Sequence, residues 1–315
     1  MRWRTKSPYA QWIQAIVFIL ILCSITISPT PTQAQTEYDT QSPDLAGVNV
    51  AIYAGNGILG SSYNALTKMF EWMNATVGPV TASQINDDYL DDYDIIVFPG
   101  GSETSYSSDL ESEGRQKIKE FIASGGSYFG ICGGSSFGAE YLRLFNGFMY
   151  SVNEPGASQH LTIMHINQSS TGPDLSDCPE NVSLMYWSSR SFSPRTGVSV
   201  IPIATYDYNG AAGMIAFEYQ NGTVFLSSPH PEYEEGDDRD DTSFGDSLDD
   251  PESEWGILFR VSKWLVDASI VESTTTDTGA STDLGIPFEL TLIAVATIGV
   301  IAIAGFSILY RRRLG

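Results

Sequence analysis

Residues Gly125–Gly138, GGSYFGICGGSSFG, enclose the apolar run Ser127–Ile131 between a glycine pair and a cysteine with glycines on both sides. A short apolar run without polar alternation reads as a strand buried on both faces, the kind found in parallel sheets covered by helices. Gly125-Gly126 is a left-handed stop for the helix before it, whose buried face is marked by Ile118, Phe121 and Ile122. Beyond the strand, Gly130-Ile131-Cys132-Gly133-Gly134 reads as a strand-to-helix turn. Ser135–Leu142 then opens a helix whose dipole points at Cys132.

The same alternation continues upstream. Val48–Tyr53 is a short apolar strand followed by Gly55-Asn56-Gly57, and Leu66, Met69, Phe70 and Met73 then fall at helical spacing. Asp94–Phe98 (DIIVF) is a second buried strand, ending in Pro99-Gly100-Gly101. Strands separated by helices predict an α/β fold with a mostly parallel sheet and helices on both faces. After Tyr141 the alternation weakens, and Asn146–Arg195 reads as an insertion with short strands. Ala212–Tyr219 and Thr223–Ser227 flank Asn221-Gly222 as the arms of a hairpin, and the second arm runs into Ser228-Pro229-His230. Trp255, Leu258, Val261, Trp264 and Leu265 form a last amphipathic helix.

The two ends read differently. Arg2, Arg4 and Lys6 precede an apolar stretch and Thr32-Gln33-Ala34, the pattern of a secretory signal over 1–34. Residues 35–271 form the ectodomain, and 272–287, rich in Ser and Thr, read as a stalk. Residues 288–310 are long and apolar enough for one C-terminal transmembrane helix, and the basic tail 311–315 belongs on the cytoplasmic side. The expected location is therefore the cell membrane, with a single pass and the ectodomain outside.

Net charge is −22, and only ten of the 16 basic residues lie between the two end segments, against 37 of the 38 acidic ones. A field of that sign repels nucleic acid and anionic lipid, so no nucleic-acid partner is expected. Cys23 falls in the signal, which leaves Cys132 and Cys178 as either free thiols or a disulfide. The reading favours thiols, because a staple would waste the elbow. Asn74, Asn167, Asn181 and Asn221 begin glycosylation sequons. His160 and His165 sit in a strand-like segment with no cysteine or histidine cluster around them, so no metal and no cofactor are expected. The acidic run Glu232–Glu254 offers oxygen ligands for a hard cation such as calcium but lacks the spacing of an EF-hand, so it reads first as a solvated loop on the rim of the crevice, with cation binding left open.

Pro229-His230-Pro231-Glu232 supplies what a cysteine nucleophile needs. His230 is the candidate base and Glu232 the carboxylate that orients it, since residues two apart on an extended segment face the same way. The amide of Gly133, with that of Gly100 or Gly101 on the neighbouring strand, is the candidate oxyanion donor. Ligand crevices of open α/β sheets lie at the carboxyl ends of strands, where Asn56 and Gly57 are also placed. Tyr53, Asn56, Phe137 and Tyr141 are candidate pocket residues.

Val50–Gly57, Tyr93–Gly101, Gly125–Gly138 and Leu226–Glu232 together resemble the class I glutamine amidotransferase-like superfamily, and within it the domain at the N-terminus of some biotin-protein ligases. The resemblance covers roughly 48–232 and implies a flavodoxin-like sheet with Cys132, His230 and Glu232 as a triad. Gly133-Gly134-Ser135-Ser136-Phe137 departs from the His-Gln ending of the cysteine turn in glutamine-hydrolysing members. Two functions follow as expectations. One is a cysteine-dependent hydrolase of small amides or peptides, and the other a non-catalytic protein that retains the fold, either binding a small molecule or peptide at the surface or serving as an envelope component. The sequence leaves the oligomeric state open.

Overall fold

The computed structural model describes residues 43–277 except Asp237 and Pro251. The expected signal, transmembrane helix and basic tail lie outside the described residues. Among the described residues no helix is long and apolar enough to cross a membrane.

The centre of the fold is one mixed sheet. Its first strands are β1 (Asn49–Tyr53), β2 (Thr76–Val80), β3 (Ile95–Phe98) and β4 (Ser127–Ile131). The later ones are β5 (Gly147–Ser151), β6 (Gln159–Ile166), β7 (Asn181–Trp187), β8 (Arg190–Pro194), β9 (Ile201–Tyr206), β10 (Ala212–Tyr219) and β11 (Gly222–Ser227). The order is β2-β1-β3-β4-β11-β10-β9-β6-β7, with β8 paired to β10 and β5 to β8. Strands β2, β1, β3, β4 and β11 are mutually parallel. From β11 outward every pairing is antiparallel.

The expected parallel centre is present, but the region read as an insertion extends the same sheet. Hairpins need only short connections, so this half carries no helical period for the sequence to display. Strand β2 went unread because Pro79 interrupts it. As the edge strand it can carry a proline without losing an interior ladder bond.

Alternation along each strand divides the core in two. Ile95, Val97, Phe129, Ile131 and Phe225 face one side, where α1 (Gly60–Trp72) contributes Leu66, Met69 and Phe70 and α5 (Trp255–Asp277) contributes Trp255, Leu258, Val261 and Leu265. Ile96, Phe98, Tyr128 and Leu226 face the other, against Leu110, Ile118 and Ile122 of α3 (Glu103–Ala123). Between α1 and α3, the short α2 (Ala82–Asn86) is held by a capping box from Thr81 and Gln84. Burying each large apolar side chain fully stabilises the fold by roughly 1.5–3 kcal/mol before the cost of ordering it. Helix α5 continues past Glu272, where the sequence suggested a stalk.

Two local expectations are met, the second with a shift of one residue. Helix α3 ends in a left-handed Gly125 (φ 113°), with Gly126 N–H bonded to Phe121 O at 3.0 Å and Gly125 N–H to Ile122 O at 3.1 Å. The β10–β11 hairpin forms, but its two turn residues are Gln220 and Asn221, one position earlier than expected. Gly222 instead pairs with Tyr219, where a Cβ would meet Gly126 O at 2.1 Å.

Candidate functional site

The register of β4 and β11 brings the two distant motifs together. Ser227 pairs with Ile131 across the parallel ladder, so the chain leaves both strands at the same level. Cys132 N–H then donates to Ser227 O at 2.8 Å. Cys132 and His230 therefore emerge side by side at the carboxyl edge of the sheet, although 98 positions separate them.

Cys132 holds φ 49° and ψ −111°, outside the regions an L-residue ordinarily adopts, and is half-buried. Such strain at an exposed-edge turn persists only where surrounding contacts enforce it. Here the enforcement is backbone against backbone. Gly134 N–H donates to Pro99 O at 3.1 Å, and a Cβ on Gly133 would lie 2.0 Å from Gly101 O. The helix that follows is shorter than the sequence suggested. It comprises α4 (Gly133–Ser136) and one π-type turn (Phe137–Tyr141).

His230 and Glu232 are both fully buried. His230 Nδ1 lies 2.9 Å from Glu232 Oε1, which fixes the tautomer with Nδ1–H as donor. Nε2 makes no formed hydrogen bond, and the side chain of Cys132 is close enough to interact with the imidazole directly. Burial alone would lower the imidazole pKa. The charge of Glu232, then that of Cys132, outweighs it and holds His230 well above its ordinary 6.5. An imidazole that keeps its proton in this way suits a thiolate–imidazolium pair.

A fourth member had no sequence signal. Ser62, on α1 and fully buried, donates Oγ–H to Glu232 Oε1 at 2.7 Å and accepts Gly100 N–H at 2.8 Å. Helical spacing marks Ser62 only as one polar residue on a buried face, and no local pattern ties it to a carboxylate 170 positions later.

Ser62 also removes Gly100 from the candidate donors, because its N–H is spent on that hydroxyl. The ring of His230 packs on Gly100 so closely that a Cβ would lie 2.9 Å from Cε1. Gly101 and Gly133 remain as the candidate oxyanion pair.

Of the other expected pocket residues, Gly57 braces the β3 turn, accepting Ser102 N–H at 2.9 Å. Asn56 gives its side-chain amide to Asp109 Oδ1 at 2.6 Å and its N–H to Oδ2 at 3.0 Å. Tyr53 and Phe137 are fully buried against Phe98, in the core rather than the crevice. Tyr141 is exposed.

An aromatic group surrounds the imidazole instead. Trp187 lies 5.8 Å from His230 and 5.2 Å from Phe244, and Tyr233 stacks on His230 at 5.4 Å. Cys178 is buried and, like Cys132, a free thiol, so the disulfide alternative falls. His160 and His165 lie on β6 as expected, and among the described residues no group of three or more metal-binding side chains could hold an ion.

A parallel sheet with a strained cysteine at one strand end and a buried His-Glu pair at the next is the arrangement that the resemblance to class I glutamine amidotransferase-like proteins implied. Residues 48–147 match the family model described as biotin-protein ligase, N terminal. His230 and Glu232 lie beyond the matched stretch. A biotin–protein ligase of Schizosaccharomyces pombe (strain 972 / ATCC 24843) is 26% identical over 223 residues, covering 59% of this chain and 33% of that one. The match thus spans about a third of that relative. Among solved structures, a ThuA-like protein from Bacteroides uniformis ATCC 8492 is similar at TM-score 0.49 and 13% identity, over 70% of this chain and 91% of that one. A glutamine amidotransferase from Thermotoga maritima is similar at TM-score 0.46 and 12% identity, over 72% and 92%.

Proposed function

We propose that this protein is a cysteine-dependent hydrolase of small amides or peptides, displayed outside the cell by a C-terminal membrane helix. The observation that carries the catalytic part is the buried His230–Glu232 pair beside a strained, half-buried Cys132. The Cys132 thiolate attacks the amide carbonyl carbon, and the carbonyl electron pair moves onto oxygen, where the N–H groups of Gly133 and Gly101 stabilise it. Collapse of this intermediate breaks the C–N bond, and the imidazolium of His230 protonates the departing amine. Water, giving a proton to the now neutral imidazole, then cleaves the thioester and returns the thiol. Glu232 stays ionised and holds the ring in place. The aromatic group Trp187, Phe244 and Tyr233 favours a substrate with an apolar or planar portion near the scissile bond.

The outward location rests on the apolar segment 288–310 and its arginine flank. No cofactor enters the reaction.

The test is the reactivity and turnover of Cys132. Iodoacetamide labels Cys132 faster than Cys178 at neutral pH, His230→Ala slows that labelling, and an amide and peptide library is turned over by the wild type but not by Cys132→Ala. Equal, slow labelling of both thiols with no turnover overturns the hydrolase and leaves a surface binding protein.

A further inference from the structure

Two segments cover His230. The run Glu232–Glu254, expected as a solvated loop, is instead packed into the molecule, with Glu235 and Glu254 buried, and it supplies Tyr233 and Phe244 to the aromatic group at the imidazole. The other is the turn from β7 to β8, Trp187–Arg190. His230 N–H donates to Met185 O at 3.0 Å, which carries the end of β7 past the histidine and sets Trp187 against its ring. Trp187 N–H, bonded to Ser189 Oγ at 3.2 Å, tightens the turn, in which Ser188 takes φ 47°.

Arg190, the first residue of β8, is bound on both sides of the site. Its N–H donates to the hydroxyl of Ser228, two positions before His230, at 2.6 Å, and its carbonyl accepts the Tyr206 hydroxyl at 3.0 Å. Its guanidinium runs the other way, toward the short helix behind Cys132. Nη1 lies 2.9 Å from Glu140 Oε2 and Nη2 2.6 Å from Oε1, and the same fork reaches Ser136 Oγ and Met149 O, each at 3.4 Å. Ser136 N–H in turn donates to Cys132 O at 3.0 Å. One residue thus joins the segment that carries the base to the segment that carries the thiol.

A partly exposed ion pair adds little to global stability. What a planar guanidinium fork adds is direction, because both of its bonds to a carboxylate must be made in one orientation. The elbow needs such a constraint. Helix α4 has four residues and passes at once into a π-type turn, so it holds too few internal hydrogen bonds to fix its own axis. Tyr128 Oη–H to Gly134 O at 2.7 Å and the packing of Phe137 on Phe98 pin its buried face. Glu140, on the outer side of the turn, is held by Arg190.

We propose that Arg190 is a positioning residue of this site: its fork on Glu140, with its backbone on Ser228, sets the separation between the Cys132 sulfur and the His230 imidazole. It touches no reacting atom. The inference deepens the hydrolase reading and rests on it for turnover, whereas the placement of the two side chains is present with or without hydrolysis.

The experiment compares the full wild-type chain with Arg190→Gln, Glu140→Gln and the double variant, by iodoacetamide labelling of Cys132 and by NMR titration of His230. Charge and geometry predict opposite signs. Loss of the Glu140 charge by itself favours the thiolate and speeds labelling, and loss of the Arg190 charge by itself raises the His230 pKa. The expected result is labelling slower by at least about tenfold in each single variant, the scale of a misplaced reacting group. The His230 pKa falls in Arg190→Gln, since the imidazole loses its thiolate neighbour. The double variant is no slower than the slower single one, because one clamp breaks only once. Arg190→Lys, which keeps the charge without the fork, does not restore the wild-type rate.

Faster labelling in Glu140→Gln, an unchanged or raised His230 pKa in Arg190→Gln, or effects that multiply in the double variant overturn the clamp. Should Arg190→Gln fail to fold, Arg190→Lys takes its place, with the same lowered His230 pKa expected and an unchanged one decisive against the clamp. Failure of the hydrolase reading looks different: the wild type itself labels slowly at Cys132 and turns over no amide, and the His230 titration alone then decides the role of Arg190.

Discussion

Ser62 Oγ lies 2.7 Å from Glu232 Oε1 and 2.8 Å from Gly100 N, so one buried hydroxyl ties helix α1, the β3 turn and the carboxylate behind His230 into a continuous chain. The link also explains why Glu232 can hold its rotamer with Oε2 unpartnered in the interior.

Ser62→Ala removes a hydrogen bond to a carboxylate and leaves Gly100 N–H bare. The loss is about 1.5–3 kcal/mol of stability, since bonds to charged groups sit at the strong end of the range. Urea denaturation checks that figure. If Ser62 positions Glu232, NMR of the variant also shows a lowered His230 pKa, which a purely structural loss would leave unmoved.

Glu232→Gln keeps the shape but removes the charge that opposes the desolvation of His230. Because the folded pKa of His230 is raised above 6.5, the stabilisation is fully present below that value and is lost as pH rises through the folded pKa. Wild-type stability therefore declines on the alkaline side of neutrality through this group. The variant shows a flatter profile and a His230 resonance that titrates at lower pH. Unchanged titration in Glu232→Gln would mean that the carboxylate does not govern the imidazole.

Gly133→Ala places a methyl 2.0 Å from Gly101 O, a backbone atom that no side-chain rotation can move. The expected cost is about 3 kcal/mol, at the upper end of overpacking. Differential scanning calorimetry reads it as a midpoint lower by several degrees, together with slower Cys132 alkylation as the elbow shifts.

Cys178 is pushed up to about 11 by burial, so its thiol stays protonated at neutral pH. Peptide mapping after iodoacetamide finds Cys132 modified first. Unfolding in denaturant abolishes the difference, and mapping without reductant finds no peptide joining the two cysteines.

Much of this was legible along the chain. The strands at Val48–Tyr53, Asp94–Phe98 and Ser127–Ile131, the glycine stop at Gly125 and the elbow at Cys132 announce themselves through apolar runs and glycine placement, which are local properties. Strand β2, broken by Pro79, and the antiparallel strands that follow Tyr141 did not. Half-exposed strands such as β6 mix polar and apolar residues too irregularly for a period to stand out. Tyr53 and Phe137 drew attention as pocket residues only because they neighbour functional glycines. Ring contacts of both with Phe98 placed them in the core.

The order of the residues settled where chain direction changes and which residue types sit at those changes, because backbone stereochemistry and hydrophobic period act over a few positions. Pairing of β11 beside β4, the hydroxyl of Ser62 behind Glu232 and the burial of Glu235 and Glu254 were decided by folding. Each depends on segments far apart in the chain meeting at a defined register, and only the packed sheet and its helices specify that meeting.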